Sequence, residues 1–292
     1  MSFSERSAAL SARLGAIAQR LGFAGHSTRR IFTSASALRL PFQALPSIVP
    51  SIWWQSGPPL QRLIDLPRDA LSGPIQEDKA LAHAMLIRLV KQQQEQIDNL
   101  DLRRISGFSC TDNNREPCSS FEEYAGADRC RSIRIISYKD FVKTISHALP
   151  RFLAGEPIQL RQASWHGKQL YWSGEQHLEA FACAIAYARR RGLEINLPAV
   201  LSRYQVDPAG LTDLERSYHM LAMPTQAWSD PAFMALLLDH GLPYARLSLM
   251  RSPGAPEFLL LPKAHEQARV LGDGLRLAGA ADAVSYLQKL KS

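Results

Sequence analysis

The sequence is poor in cysteine, has no long apolar run, and carries no acidic residue between Arg6 and Ile64. Each shortage excludes something. Four cysteines in 292 residues (Cys110, Cys118, Cys130 and Cys183) do not make a disulfide framework. Seven and eleven residues separate the first three, without the close pairs of a zinc ribbon or finger, so free thiols in a reducing compartment are expected. No window of about eighteen or more apolar residues occurs, so no transmembrane segment is expected. The first 23 residues lack the continuous apolar core of a secretory signal. Their Arg, Ser and Ala content superficially suits a transit peptide, but a plain amphipathic helix in a bacterial, cytoplasmic protein accounts for it as well. No internal repeat is visible, and no P-loop, serine-centred elbow, metalloprotease helix or dinucleotide fingerprint occurs. The sequence therefore names no cofactor, no metal set and no catalytic residue.

The missing acids matter for charge. The formal net charge is +7, yet Arg6, Arg13, Arg20, Arg29, Arg30, Arg39 and Arg62 lie in the acid-free stretch, leaving the remainder near neutral. A chain-wide affinity for nucleic acid does not follow; a basic N-terminal segment that could meet a protein partner does. Hydrophobic residues at 46% and charged residues at 21% are ordinary for a chain that buries a sizeable core.

Along the chain, Leu10, Leu14, Ile17 and Leu21 fall at helical spacing. Prolines 41, 46, 50, 58 and 59 then forbid a long helix, and Trp53-Trp54 is too apolar for a free linker, so residues 1–60 read as an Arg-rich, Pro-containing arm over a single domain at 61–292. Leu81, Met85, Leu89 and Ile97 predict a helix from about Glu77 to Leu100. The stretch 106–130 is full of turn formers and reads as an irregular, protease-sensitive loop with accessible thiols. "SIRIISY" reads as a strand, and "YKDFVKTISHALPRFLAG" as an amphipathic helix. A hairpin turning at His166-Gly167, a helix, the strand "LEINLPAVL", a capped helix at "SDPAFMALLLDHG", the strand "EFLLLP" and two closing helices parted by Gly279 complete the reading. The class is α+β, with a helical N-terminal half, a small mixed sheet between about 130 and 265, and a helical C-terminus.

One stretch looks arranged for chemistry: "YWSGEQHLEAFACAIAYARRRG", residues 171–192. Ser173-Gly174 leads into a helix whose first turn is expected to carry Glu175, Gln176, His177 and Glu179. Backbone N–H groups there could bind phosphate, with His177 adding charge. Glu175 and Glu179 at i and i+4 could share a metal, although acids are favoured in a first turn by the helix dipole alone. Arg189, Arg190 and Arg191 end the same helix, where the dipole also favours them; nucleic-acid contact is the other reading.

The order strand, turn, strand, Gly174-Glu175, helix, Gly192, strand resembles the ParB/sulfiredoxin-like core over about residues 157–200. Pro157, Ile158, Arg161, Gly174, Glu175 and Ala180 fall at matching places. That resemblance implies a nucleotide or nucleic-acid site at Arg161 and the Gly174 turn. Gln176 and His177 replace the paired arginines of ParB relatives, and no cysteine occupies the turn as in sulfiredoxins, which argues against sulfiredoxin activity. A second resemblance, to an uncharacterised bacterial family, rests on the tryptophan-containing hairpin, the helix behind it and the closing "FLLLPKAHEQARVLGDGLRLAGAADAVSYL"; it implies no activity. The expected function is a non-catalytic binding module for nucleotide or nucleic acid. The alternatives are a metal-dependent nucleotide-processing enzyme using Glu175 and His177, and an accessory protein acting through the basic arm.

Overall fold

The computed structural model describes residues 25–110, 116–167, 169–250 and 254–290. The expected helix around Leu10–Leu21 lies outside them. The α-helices, in chain order, are α1 (His26–Ser36), α2 (Gln76–Leu86), α3 (Phe121–Ala125), α4 (Tyr138–Ala148), α5 (Leu178–Arg191), α6 (Pro208–Ser217), α7 (Pro231–Leu238), α8 (Glu266–Ala278) and α9 (Ala283–Lys289). The strands are β1 (Leu71–Ser72), β2 (Val90–Asp101), β3 (Ile105–Phe108), β4 (Ile158–Ala163), β5 (Leu170–Trp172), β6 (Asn196–Val206), β7 (Tyr218–Met223), β8 (Ala245–Leu247), β9 (Glu257–Pro262) and β10 (Ala281–Asp282). Helices and sheets lie side by side as an α+β chain. Among the described residues no helix is long and apolar enough to cross a membrane.

The chain divides into two compact units. One takes residues up to Leu45, Leu66–Leu86 and Thr212–Tyr286. Its antiparallel sheet runs β1-β8-β9-β7-β10. Ile31, Phe32 and Ala35 of α1 and Ala268, Leu271 and Leu275 of α8 join Leu221, Leu259 and Leu261 of the sheet in its core. Gly274 lets the two helices approach, since a Cβ there would come within 2.7 Å of the Ala35 methyl.

The other unit takes Pro46–Asp65, Ile87–Leu211 and the residues from Leu287 on. Its mixed sheet runs β2-β6-β4-β5-β3, with β2 and β3 as edges. β4 and β6 are parallel, as are β3 and β5; the other pairs are antiparallel. α5 covers one face, where Leu178, Phe181 and Ile185 meet Phe108, Leu160, Trp172 and Leu201. On the other side Trp54, His166, Tyr171 and Tyr204 form an aromatic cluster with ring centroids 4.9–5.8 Å from that of Trp54.

Two expectations are corrected. The helix predicted over 77–100 ends at Leu86, and Val90–Asp101 is a strand instead. "SIRIISY" is not a strand: Ile133 and Ile135 pack against the core, but no strand pairs with them. In the described part of 106–130, β3 lies at the start, α3 is capped by Ser120, and Cys110 and Cys130 are buried. All four cysteines are free thiols, and burial pushes Cys183 up to about 12.

Candidate functional site

The sequence order around Gly174 is realised as a strand, a turn, a strand, a five-residue connection, a helix and a strand. β4 pairs with β5 through Leu160–Trp172 and Arg161–Tyr171, and with β6 from Ile158–Ala199 to Ala163–Tyr204. Gly167 makes the hairpin turn at φ 66°, a left-handed conformation that glycine takes without steric cost. Beyond β5 the chain is held at once: Ser173 donates its N–H to the Gln159 carbonyl at 2.9 Å, and the Ser109 hydroxyl donates to the Ser173 hydroxyl at 3.0 Å.

Gly174 follows, and its hydrogen faces the Trp172 indole. A Cβ would lie 2.0 Å from that ring. Swinging the indole away would break its stack on Phe181, with centroids 4.1 Å apart and planes 9° from parallel. Glycine is therefore required here by the packing of Trp172.

The helix begins later than its first-turn acids predict. Leu178 is its first residue, and His177 is the N-cap, in a left-handed conformation (φ 53°, ψ 41°) and without a side-chain capping bond. Glu175, Gln176 and His177 are exposed in the connection, so Glu175 and Glu179 do not share a helical face. Glu179 does lie in the first turn, where its carboxylate accepts a hydrogen bond from the Tyr124 hydroxyl at 3.1 Å. Among the described residues no group of three or more His, Cys, Asp or Glu is placed to hold a metal ion. The His177 ring instead neighbours His147, at the C-terminal end of α4, with centroids 6.0 Å apart.

A cleft of about 380 Å³ opens against this segment. Trp172, Ser173 and Gly174 form one side; Leu149, Arg151, Phe152, Gln159 and Leu197 are among the residues that complete it. Gly174 is the one sequence-predicted site residue among its walls. Arg161 sits in β4 two residues beyond Gln159 and does not line it, nor do Glu175, Gln176, His177 or Glu179. Apart from Leu197 of β6, the missed wall residues named here come from "ALPRFLAGEPIQ", which delivers α4 into β4 between Pro150 and Pro157. The two prolines flanking an aromatic and an arginine were the available signal. Arg151 donates to Glu156, so the cation at the cleft already has a carboxylate partner.

At the far end of α5 the basic cluster is partly spoken for. Arg189 donates to the Arg103 and Ile105 carbonyls at 2.9 and 2.7 Å, pairs with Glu122 at 3.1 Å, and lies over the Phe121 ring. It ties α5 to the β2–β3 connection and to the first residue of β3.

The family model that matches this chain is that of a family of unknown function, DUF6685, over residues 94–292. The match starts within β2 and takes in the whole of the cleft. Neither a curated protein nor a solved structure matches. With more than half of its length inside that model, the chain belongs to the DUF6685 family.

Proposed function

We propose that the chain is a non-catalytic binding module, and that a nucleotide seated in the cleft beside Trp172–Gly174 is its ligand. The observation that carries this reading is the cleft itself. Its 380 Å³ falls within the roughly 300–1,000 Å³ of small-molecule sites, and its walls are largely apolar with a few polar groups. Leu149, Phe152, Leu197 and the fixed Trp172 suit a flat heteroaromatic base. Gln159 offers an amide that can both donate and accept at a base edge, and Arg151, though paired with Glu156 through one nitrogen, keeps further N–H donors for a phosphate. The resemblance of residues 157–200 to the ParB/sulfiredoxin-like core points to the same ligand class. A nucleotide is favoured over a nucleic acid because Arg189, the most anchored of the three clustered arginines, is engaged within the protein.

Calorimetric titration with ATP and CTP, each with and without magnesium, tests the reading. Heat with at least one nucleotide is expected. Arg151→Ala should weaken it about tenfold, the scale of one charge-assisted hydrogen bond. Leu149→Trp, which fills the cleft without touching its polar groups, should abolish it. Absence of heat with every nucleotide would end the proposal, as would binding that survives Leu149→Trp.

A further inference from the structure

β2 is an edge of the mixed sheet and pairs with β6 alone among the described strands. Its length is twelve residues, and Lys91 to Gln96 are all exposed. Native proteins usually blunt such an edge with charged side chains, proline, a bulge or a very short strand, because its unpaired N–H and C=O groups are a template for another strand; of these devices the exposed run carries only one lysine and one glutamate, of opposite sign. Here the irregularity in register comes only after Ile97, and no proline interrupts Val90–Ile97. Among the described residues the segment is a regular, open edge.

Within Val90–Ile97 the charges stand at two positions. Lys91 and Glu95 stand on one face of β2, four residues apart, since alternate residues of a strand share a face. Each already has a partner across the pairing with β6: Lys91 lies 3.0 Å from Asp207, the residue just after that strand, and Glu95 lies 2.9 Å from Arg203 within it. Both keep about half or more of their side chain exposed, at 62% and 48%. Consider two copies of β2 running antiparallel about a two-fold axis. Centred on Lys91 or on Glu95, the pairing opposes like charges. Centred on Gln92 or Gln94, it leaves both charges without an opposite. Centred on Gln93, it sets Lys91 of each copy opposite Glu95 of the other, and Gln92 opposite Gln94.

We propose that β2 is a homodimerisation edge, pairing antiparallel with β2 of a second copy in the register centred on Gln93. The five-stranded sheet then continues through the axis. A row of alternating charge crosses the interface twice: Asp207, Lys91, then Glu95 and Arg203 of the second copy. An isologous contact of this kind closes on itself, so it yields a dimer and not a filament. Cross-strand pairs of opposite charge contribute about 0.2–1 kcal/mol each, and like charges directly opposite cost a similar amount. The register is thus specified by charge, while the main chain supplies the pairing.

The test uses the full chain. Sedimentation equilibrium should show a monomer–dimer system. Lys91→Glu and Glu95→Lys should each weaken it about tenfold, and the double variant should recover most of the loss, because opposite charges again face each other. Circular dichroism confirms that each variant is folded. Register is read separately by cross-linking. In the proposed pairing only residue 93 faces itself, at a Cβ separation of about 4.5–5.5 Å, so Gln93→Cys should form a covalent dimer with a short bis-thiol reagent. Gln92→Cys and Gln94→Cys, whose copies are only diagonal neighbours about 7–8 Å apart, should cross-link much more slowly. A monomer at every concentration overturns the proposal, as does cross-linking of Gln92→Cys or Gln94→Cys as fast as Gln93→Cys. Success or failure of nucleotide titration does not bear on either readout.

Discussion

At Gly174 a functional expectation and a packing requirement fall on the same residue. A glycine before a helix invites a ligand-binding explanation, in which the missing side chain lets an anion approach. The structure supplies another cause: the Trp172 indole occupies the space, pinned by its stack on Phe181. Gly174→Ala should therefore destabilise the protein whether or not a ligand is present. Overpacking of this kind costs about 1–3 kcal/mol. Chemical denaturation should show the loss in the absence of nucleotide, and Trp172→Leu, which removes the ring, should suppress the effect of the added methyl. An alanine variant as stable as the wild type would show that the indole yields easily. His177 presents the reverse situation. Its left-handed backbone is uncommon for a side chain that is not glycine, and no pattern in "SGEQHLEA" announces it.

Among elements, those with strong internal signals were legible. Helix α5 has nine buried residues between Leu178 and Ala188 and ends at Gly192, which takes the left-handed conformation at its C-terminus. α7 begins with Asp230 accepting from the Phe233 N–H and with proline in its first turn. Local chemistry decides such elements. β2 was not legible, because lysine, glutamine and glutamate favour a helix locally and show no alternation when both faces of the strand are wet. Pairing with β6 over Val90–Ile97 overrides that preference, and it is a long-range fact. The cleft was half legible for the same reason. Trp172–Gly174 lay inside the singled-out stretch, whereas Leu149–Phe152 are brought against it only by the path from α4 into β4. α4 offers a direct check on local signals. Ser137 and Asp140 form a reciprocal capping box, and the Ser137 hydroxyl holds the Asp140 carboxyl below its usual range. Ser137→Ala should cost about 1 kcal/mol, read as a shifted denaturation midpoint with an unchanged slope.

For the whole molecule, acid should act on both units at once, since each buries a neutral histidine. In the unit with the mixed sheet, His166 lies between Trp54, Trp165 and Tyr171, and burial, opposed by a hydrogen bond with the Trp54 main chain, pushes it down to about 4. In the other unit, His219 is covered by Gly272, and burial, together with Lys263, Arg276 and Arg269 and opposed by Asp282, pushes it down to about 4 as well. Its Nε2 is 3.6 Å from Asp273, too far for a hydrogen bond and not an ion pair while the ring is neutral. In the unfolded chain both rings titrate near 6.5. Between about 4 and 6.5 the unfolded state therefore binds more protons, so stability rises with pH there. The contribution is complete above 6.5 and is lost as pH falls toward 4, up to roughly 3 kcal/mol for each ring. Asp140 and Asp207, held low by Ser137 and Lys91, lose their contributions only further down, below their ordinary value of 3.8. Asp273, raised by burial, works against the histidines near the acid end of the window. Scanning calorimetry should show the transition temperature falling between pH 7 and pH 5, ahead of any carboxylate effect. His166→Gln and His219→Gln, each neutral throughout, should each flatten part of that fall, and the double variant most of it. A transition temperature unchanged from pH 7 to pH 5 would mean that both rings find water or a partner for the second proton.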